Sequence, residues 1–180
     1  MVLQEEITKI ARHFRSAILA AKKDGCFGIS SYYPFNKFPH ACCGSTSYLL
    51  AEYLETKEIP SIWVSAVRKD WSHAWLVIKD ERVLPKQNQT YVPPADIQMV
   101  LKTYGCENPM YEKKGYDWND IKNGLIVDIT ADQFDDFEEE VYVGYVNSFY
   151  KSFDFRDAHD FNGLNNIRLN DLYKIIKNYL

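Results

Sequence analysis

Apolar residues recur every three or four positions in three stretches of the 180-residue chain, which is the spacing of an amphipathic helix. The first stretch runs from Leu3 to about Ala21 and is followed by Gly25, a common helix stop. The second begins near Cys43 and ends at about Thr56, and the third runs from about Asn170 to Tyr179. Each of these segments is predicted to be a helix with one buried face.

Four shorter segments are rich in β-branched and aromatic residues and are predicted to be strands. Ser61–Val67 and Ser72–Ile78 flank the turn residues Lys69-Asp70, so they are predicted to form a hairpin. Leu125–Thr130 and Val141–Tyr145 follow later in the chain. Together the four segments predict an antiparallel sheet.

The remaining segments are richer in glycine, proline and polar residues. Pro94 is predicted to open a short helix that Gly105 closes. The others are predicted to be an ordered loop at 26–39, a polar connector at 85–94, a loop at 106–124 and an irregular stretch at 147–166. Helices come first and an antiparallel sheet follows, interrupted by a helical insertion at about 80–124. This order predicts an α+β fold in a single domain, residues 1–180.

Composition narrows the classes of function. Hydrophobic residues make up 46% of the chain and aromatic residues 15%, which favours a ring-lined core over a disordered chain. The net charge is −4 and no basic stripe is present, so no nucleic-acid partner is expected. No apolar run approaches the ~20 residues that span a bilayer, and no targeting segment is evident. A cytoplasmic protein without membrane contact is therefore expected.

The cysteines indicate free thiols. They are Cys26, Cys42, Cys43 and Cys106, and two of them are adjacent, which seldom suits a disulfide framework. No CxxC or HxxxH spacing indicates structural zinc, so neither a metal nor another cofactor is expected. Free thiols are typical of a reducing cytoplasm.

Cys43 lies where a reactive thiol is expected. It follows the helix-hostile Phe38-Pro39 and begins the second predicted helix. The unpaired N–H groups and positive dipole end of a helix N-terminus stabilise a thiolate, and they can also stabilise an oxyanion. Gly44 leaves room beside the thiol for a substrate carbonyl. Cys43 is therefore a candidate nucleophile.

Two polar residues interrupt otherwise apolar strands. His73 shares a strand face with Trp75, and an imidazole there could serve as the general base or the imidazolium partner of a thiolate. Asp128 lies within the apolar run Leu125–Ile129, where a carboxylate is costly unless a donor satisfies it. A histidine N–H from a neighbouring strand would do so and would orient the ring. The three residues predict a Cys43–His73–Asp128 triad.

Several motifs together resemble the bacterial transglutaminase-like group of papain-like cysteine proteins. They are Phe38-Pro39, Cys43-Gly44, the helix Ser47–Leu54, His73-Ala74-Trp75-Leu76 and Ile126-Val127-Asp128-Ile129-Thr130-Ala131-Asp132-Gln133-Phe134. The resemblance covers roughly residues 38 to 143. It implies a cysteine-bearing helix packed on an antiparallel sheet that presents histidine and aspartate on adjacent strands. It also implies attack on amide bonds of a peptide or protein substrate through a thioester.

The chain departs from that pattern in three places. Residues 80 to 124 separate the histidine and aspartate strands, Ser45 replaces a frequent acidic residue, and no upstream glutamine supplies an oxyanion donor. Gln133 is a candidate for substrate contact or a helix cap, and Trp75 and Trp63 are candidates for a substrate platform or for the core. Gly44 remains a candidate part of the oxyanion site.

Other assignments stay open at this stage. Cys42 is the rival nucleophile, and His40, His159 and His13 are the other imidazoles. The acceptor for the acyl group is water in a peptidase, amidase or deamidase, which we favour, and an amine in a transglutaminase. A binding module that kept the fold and a metal site at the three residues are the further alternatives. The oligomeric state is left open.

Overall fold

The computed structural model describes residues 2–28, 32–79 and 115–180. In these residues helices pack against an antiparallel sheet, so the α+β class predicted from the sequence is confirmed. The predicted polar connector at 85–94, the predicted helix after Pro94, most of the predicted insertion and Cys106 lie outside the described residues.

Helices account for most of the first third of the chain, and shorter helices follow after the sheet begins. Their bounds are α1 Val2–Lys23, α2 Tyr33–Asn36, α3 Cys43–Glu55, α4 Trp118–Ile121, α5 Ser148–Lys151 and α6 Ile167–Lys177, with a 3-10 turn at Ala131–Gln133. The first predicted helix and the cysteine-bearing helix are confirmed almost to the residue. The last helix begins earlier than predicted because the Asn166 side chain caps it, accepting from the N–H groups of Arg168 and Leu169.

The sheet has five strands in the order β4-β3-β2-β1-β5. The strands are β1 Ser61–Arg68, β2 Trp71–Ile78, β3 Ile126–Asp128, β4 Tyr142–Gly144 and β5 Asp154–Asp160. Every pairing is antiparallel. The predicted hairpin is confirmed, since β1 and β2 pair over eight residues each on either side of Lys69-Asp70.

Three sequence predictions for irregular segments were wrong. The 26–39 loop contains α2, the 106–124 loop contains α4, and the 147–166 stretch contains α5 and β5. Strand β5 escaped prediction because it lies at the edge of the sheet, where β1 is its neighbouring strand, and carries charged residues at most positions. Its pairing with β1 therefore decides its structure, and its own residues carry little strand signal.

Each face of the sheet covers a separate apolar cluster. On one face, α1, α3 and α6 pack against Leu76, Ile78 and Val127. On the other face, Trp75 and Val77 join a cluster rich in aromatic rings that also includes residues of β1, α4 and α5. The alternation along β2 thus puts successive side chains into different clusters. Consequently the side chain of His73 lies on the face opposite to α3.

Strands β2 and β3 pair over a short distance and then separate. Their ladder contains only Leu76↔Val127 and Val77↔Ile126. The Ile78 N–H donates to the Leu125 carbonyl (2.9 Å), and alternate residues of an antiparallel strand turn their backbone groups to the same side. The backbone groups of Ala74 and Ser72 therefore point toward a gap where β3 has ended. We call this opening, between Ser72–Ala74 and the chain after Asp128, the strand gap.

Gly124 marks a close approach next to β2. A Cβ atom built there would overlap Cγ1 of Val77. Only glycine fits at this point unless the Val77 side chain moves.

Across the described part of the chain, no helix is both long and apolar enough to cross a membrane.

Candidate active site

Cys43 is the first residue of α3, as the sequence predicts. The preceding residue, Cys42, caps the helix only with its carbonyl, which accepts from the Thr46 N–H (2.8 Å), and no side chain caps the helix. The first N–H groups of the helix are therefore free of helical partners. Ala41 just before has φ 58, a left-handed conformation that is unfavourable for a residue with a Cβ. Such strain is typical of functional sites.

The Cys43 sulfur lies beside the backbone of β2 at the strand gap. Helix α3 is held against β2 by Ser47, whose hydroxyl donates to the Ala74 carbonyl (3.0 Å). This places the Cys43 Sγ 4.0 Å from the Ser72 carbonyl and next to the Ala74 N–H. His73 acts on the thiol electrostatically from the other face of the sheet. Residues 43 and 73 are therefore close enough to interact across the gap.

His73 and Asp128 form a buried ion pair. The Nε2 atom of His73 lies 2.6 Å from Oδ2 of Asp128, and the two residues are 1% and 2% exposed. Oδ2 also accepts from the Tyr150 hydroxyl (3.1 Å). Oδ1 accepts from the N–H (2.8 Å) and hydroxyl (3.1 Å) of Thr130. Four donors thus satisfy a carboxylate that would otherwise be costly to bury.

Aromatic rings enclose the imidazole. The ring centroid of Phe134 lies 5.0 Å from that of His73, and Trp75, Phe153 and Phe149 follow at 5.5, 5.6 and 6.3 Å. The guanidinium of Arg68 covers three of these rings at 4.8 to 5.1 Å and pairs with Asp136. This enclosure keeps water away from the ion pair, which strengthens its electrostatic attraction.

The environment favours charge separation between Cys43 and His73. Burial alone would lower the pKa of His73, but the charge and hydrogen bond of Asp128, helped by Cys43, raise it to about 9. For the Cys43 thiol, burial would raise the pKa, because it disfavours the charged thiolate. The hydrogen bond and charge of His73 and the Ala74 N–H outweigh burial and lower this pKa. Burial would raise the pKa of Asp128 too, and the charge and hydrogen bond of His73 lower it. These shifts favour a thiolate–imidazolium pair.

The adjacent thiol has the opposite character. Cys42 is 4% exposed, and its sulfur donates to the Pro39 carbonyl at 3.4 Å. Desolvation raises the pKa of the Cys42 thiol to about 12. Of the two adjacent cysteines, the structure therefore gives only Cys43 the surroundings of a nucleophile.

Gln133 contacts the imidazole at its second nitrogen. Its amide Nε2 lies 3.2 Å from Nδ1 of His73 and 3.0 Å from the Thr130 carbonyl. Gln133 ends the 3-10 turn that follows β3, and this turn brings it back over the His73 ring. The sequence indicated a polar residue near substrate at this position but did not indicate the contact with His73.

Arg15 fixes the turn that carries Gln133. This residue of α1 is 5% exposed. Its guanidinium donates to the Ile129 carbonyl (2.5 Å) and, through both terminal nitrogens, to the carboxylate of Asp132 (2.9 and 2.6 Å). It also lies 5.1 Å from the Phe38 ring centroid, in the loop before the cysteines. One side chain thus joins α1 to both segments that border the site.

An open cleft of about 1160 Å³ leads to Cys43. Gly44 and Gln133 line it, and Trp71 at its wall is 68% exposed. His40 and the tip of the β1–β2 hairpin also line it. Trp75, by contrast, is 1% exposed and packs between His73 and Tyr150, so its ring supports the imidazole and does not face the cleft.

Of the other histidines, His159 and His13 do not line the cleft that leads to Cys43. His159 is on β5, where its Nε2 bonds to the Tyr48 hydroxyl (2.9 Å) and its ring packs on Trp63. The prediction that His159 lies in an irregular tail was therefore wrong. His13 is on the outer side of α1, as predicted, with Nε2 3.1 Å from the Leu180 carbonyl. His40 is the remaining imidazole at the cleft wall.

The three candidate residues form a chain and do not converge on one point. Asp128 contacts Nε2 of His73 and Gln133 contacts Nδ1, so Nδ1 is the ring nitrogen left for the interaction with Cys43. Among residues 2–28, 32–79 and 115–180, no group of three or more His, Cys, Asp or Glu residues is arranged to hold a metal ion.

Sequence reasoning missed Tyr150, Thr130 and Arg15. Thr130 follows Asp128 by two residues, a spacing at which a hydroxyl and N–H often bond back to a carboxylate, so it could have been found. Arg15 interrupts the apolar stripe of α1 next to Phe14, which signals a buried charge. Tyr150 gave no such signal, because its segment was predicted to be irregular.

Comparisons of the chain with protein-family models, curated proteins and solved structures found no match. The assignment of function therefore depends on the geometry of the site.

Proposed function

We propose that the protein is a cysteine-nucleophile enzyme that attacks amide bonds of a peptide or protein substrate, with a papain-like or transglutaminase-like arrangement of its core. The observation that carries this proposal is the Asp128–His73 hydrogen bond together with a neighbouring Cys43 thiol, which lines an open cleft and whose pKa His73 lowers. Nucleophile, proton carrier and orienting carboxylate occur there in the order that thiol catalysis requires.

The first half-reaction forms a thioester. The Cys43 thiolate adds to the amide carbon, and the carbonyl electrons move to oxygen, where the free N–H groups at the start of α3 can stabilise the negative charge. The carbonyl then reforms and the C–N bond breaks. His73 donates its Nδ1 proton to the leaving nitrogen, which departs as an amine or ammonia. Asp128 keeps the ring oriented throughout.

The second half-reaction releases the acyl group. His73, now neutral, removes a proton from water as the water oxygen adds to the thioester carbon. The C–S bond breaks, and a carboxylic acid and the Cys43 thiolate result, with the proton on His73. An amine in place of water would give a new amide, the transglutaminase outcome. We favour hydrolysis because water needs no second binding pocket.

The proposal is tested by trapping the acyl-enzyme. The purified protein is incubated with a panel of glutamine-containing peptides and peptide amides, and intact mass is recorded after acid quenching. We expect an adduct equal to the acyl part of the substrate, absent in Cys43→Ala. Cys42→Ala is the matched control, because it removes the neighbouring thiol, and it should retain the adduct.

Iodoacetamide gives a second measurement that needs no substrate. We expect Cys43 to be alkylated faster than the other cysteines near neutral pH, and His73→Ala to slow this at least 10-fold, because the loss of His73 raises the pKa of the thiol. Tandem mass spectrometry assigns the label to residue 42 or 43. Preferential labelling of Cys42, Cys26 or Cys106 would refute Cys43 as the nucleophile. A reactive Cys43 that never forms an adduct with any amide would favour a binding module.

A further inference from the structure

The amide group of Gln133 has a defined orientation. One of its two polar atoms lies 3.0 Å from the Thr130 carbonyl oxygen, and only the NH₂ group can bond there, since two carbonyl oxygens would repel each other. The same nitrogen lies 3.2 Å from Nδ1 of His73. An N–H group therefore points at Nδ1, and because Asp128 occupies Nε2, Nδ1 is also the ring nitrogen left for the Cys43 thiol.

This contact is compatible with only one protonation state of the ring. Nδ1 can accept an N–H hydrogen bond only while it carries a lone pair, so the imidazole is then neutral with its proton on Nε2, donated to Asp128. In the thiolate–imidazolium pair, Nδ1 carries a proton of its own and must donate it to sulfur. The Gln133 N–H then has no acceptor on the ring and faces another N–H.

We propose that Gln133 is a positioning residue that competes with the Cys43 thiol for Nδ1 of His73 and so limits how much of the resting enzyme is in the charge-separated state. The inference rests on the proposed function, because it concerns the regulation of the same thiol. Asp128 favours the imidazolium from one side of the ring, and Gln133 opposes it from the other. Proton transfer from Nδ1 to a leaving nitrogen restores the Gln133 contact, which favours that step.

The other charged or titratable groups near the ring do not replace this role. Asp128 on β3 and Cys43 on α3 contact the ring directly. The Tyr150 hydroxyl of α5 contacts Asp128, and the Arg68 guanidinium of β1 lies beyond the rings of Phe134, Phe149 and Phe153, where Asp136 pairs with it. Among the residues that the structure describes, Gln133 alone brings to Nδ1 a donor that does not titrate.

The test is the pH dependence of Cys43 alkylation in Gln133→Met, which keeps the side-chain length and removes the donor. A net hydrogen bond contributes about 0.5–1.5 kcal/mol, and one pKa unit corresponds to about 1.4 kcal/mol. We therefore expect the midpoint of the alkylation profile to shift about 0.5 to 1 pH unit lower than in the wild type. If Gln133 only supported the fold, its loss would loosen the contact between Cys43 and His73 and shift the midpoint higher.

A second measurement reads the imidazole directly. In a Cys43→Ala background, the thiol no longer competes, and ¹⁵N NMR of His73 reports which ring nitrogen carries the proton. We expect the neutral form to have its proton on Nε2, and Gln133→Met to raise the pKa of His73. An unchanged or higher alkylation midpoint in Gln133→Met, or an unchanged pKa of His73, would overturn the inference.

Failure of this inference and failure of the proposed function give different results. A Cys43 whose alkylation does not depend on His73 defeats the proposed nucleophile. A His73-dependent Cys43 that Gln133→Met leaves unshifted defeats only the competition for Nδ1. A downward shift without any acyl-enzyme supports the competition and refutes amide chemistry.

Discussion

The carboxylate of Asp128 is enclosed by donors that come from three different elements. Thr130 follows β3, Tyr150 belongs to α5 and His73 lies on β2. Because each oxygen accepts two hydrogen bonds, the group stays ionised despite being 2% exposed. A carboxylate that cannot rotate also fixes the imidazole, which leaves Nδ1 pointing toward the thiol.

Replacement of Tyr150 by Phe tests the value of one of these donors. The ring is retained, but Oδ2 of Asp128 loses a hydrogen bond at a position where both residues are buried. Hydrogen bonds to charged groups contribute about 1.5–3 kcal/mol, so we expect the free energy of unfolding to fall by about 2 kcal/mol in Tyr150→Phe. Urea denaturation followed by circular dichroism measures the change.

Tyr116→Phe is the matched control for that variant. The Tyr116 hydroxyl also donates to a carboxylate, Asp160 (2.7 Å), but that carboxylate is partly exposed and keeps Lys79 as a partner. We expect Tyr116→Phe to cost less than 1 kcal/mol, because solvent replaces the lost donor. Equal losses in the two variants would show that the donor to Asp128 has no special value.

The site could be predicted from the sequence where a residue conflicts with its own local surroundings. Asp128 in an apolar strand and Cys43 at a helix start are of this kind, and the structure places them on either side of His73. Tyr150 and Gln133 fit their own segments without conflict. Their contacts exist only because α5 and the turn after β3 fold over the same ring, and chain spacing does not encode this.

Helix α1 carries a charged residue into the boundary of the site. Arg15 holds the turn at Asp132 by a bidentate ion pair and faces the Phe38 ring on the other side. The apolar periodicity of α1 predicted its buried face correctly. Arg15 lies on that buried face although it is charged, and the periodicity does not explain this. The charge is tolerated there because Asp132 and the Ile129 carbonyl satisfy it.

Loss of Arg15 should therefore affect both stability and the thiol. Arg15→Met keeps the aliphatic part of the side chain and removes the guanidinium. The carboxylate of Asp132, which is 16% exposed, then loses its partner. Breaking a buried pair costs about 3–5 kcal/mol, and we expect about 3 kcal/mol here because Asp132 is partly hydrated. Thermal unfolding gives the stability, and iodoacetamide labelling at pH 7 should slow as the loop before Cys43 loosens.

Arg12→Met is the control for that variant, since Arg12 lies on α1 one turn away and is exposed. It should change stability by less than about 0.5 kcal/mol. If Arg15→Met proves as mild as Arg12→Met, the ion pair with Asp132 does not hold the turn.

Strand prediction succeeded for β1 to β4 and failed for β5, the charged strand at one edge of the sheet. β1 and β2 are apolar along most of their length, because both faces of the sheet are covered there. β5 bears Asp154, Arg156, Asp157 and Asp160, and its assignment depends on the register with β1. The predicted strand Leu125–Thr130 is limited to Ile126–Asp128 because the chain turns away to form the strand gap.

The ion pair makes the stability of the whole protein depend on pH. The pKa of His73 is raised from 6.5 to about 9, so its contribution is complete below pH 6.5 and is lost as the pH rises through 9. The pKa of Asp128 is lowered from 3.8, so its contribution is present above pH 3.8 and is lost as the pH falls through the lowered value. The pair therefore stabilises the fold most between about pH 4 and 6.5.

Comparison with Asp128→Asn checks this dependence. We expect the difference in unfolding free energy between wild type and Asp128→Asn to be largest between about pH 4 and 6.5 and to decrease steadily toward pH 9. Chemical denaturation at intervals of half a pH unit measures it. A difference that stays constant from pH 5 to 9 would show that His73 does not titrate as a partner of Asp128.

The strand gap has a consequence for the order in which molecules meet the reactive groups. The Cys43 sulfur lies at the edge of this gap, 4.0 Å from the Ser72 carbonyl. Cys43 lines the cleft, whereas His73 does not line it and is 1% exposed, so a molecule in the cleft meets the sulfur before the imidazole. An acyl group on the sulfur would partly cover this approach, so the water that ends the reaction has to enter beside that acyl group from the cleft.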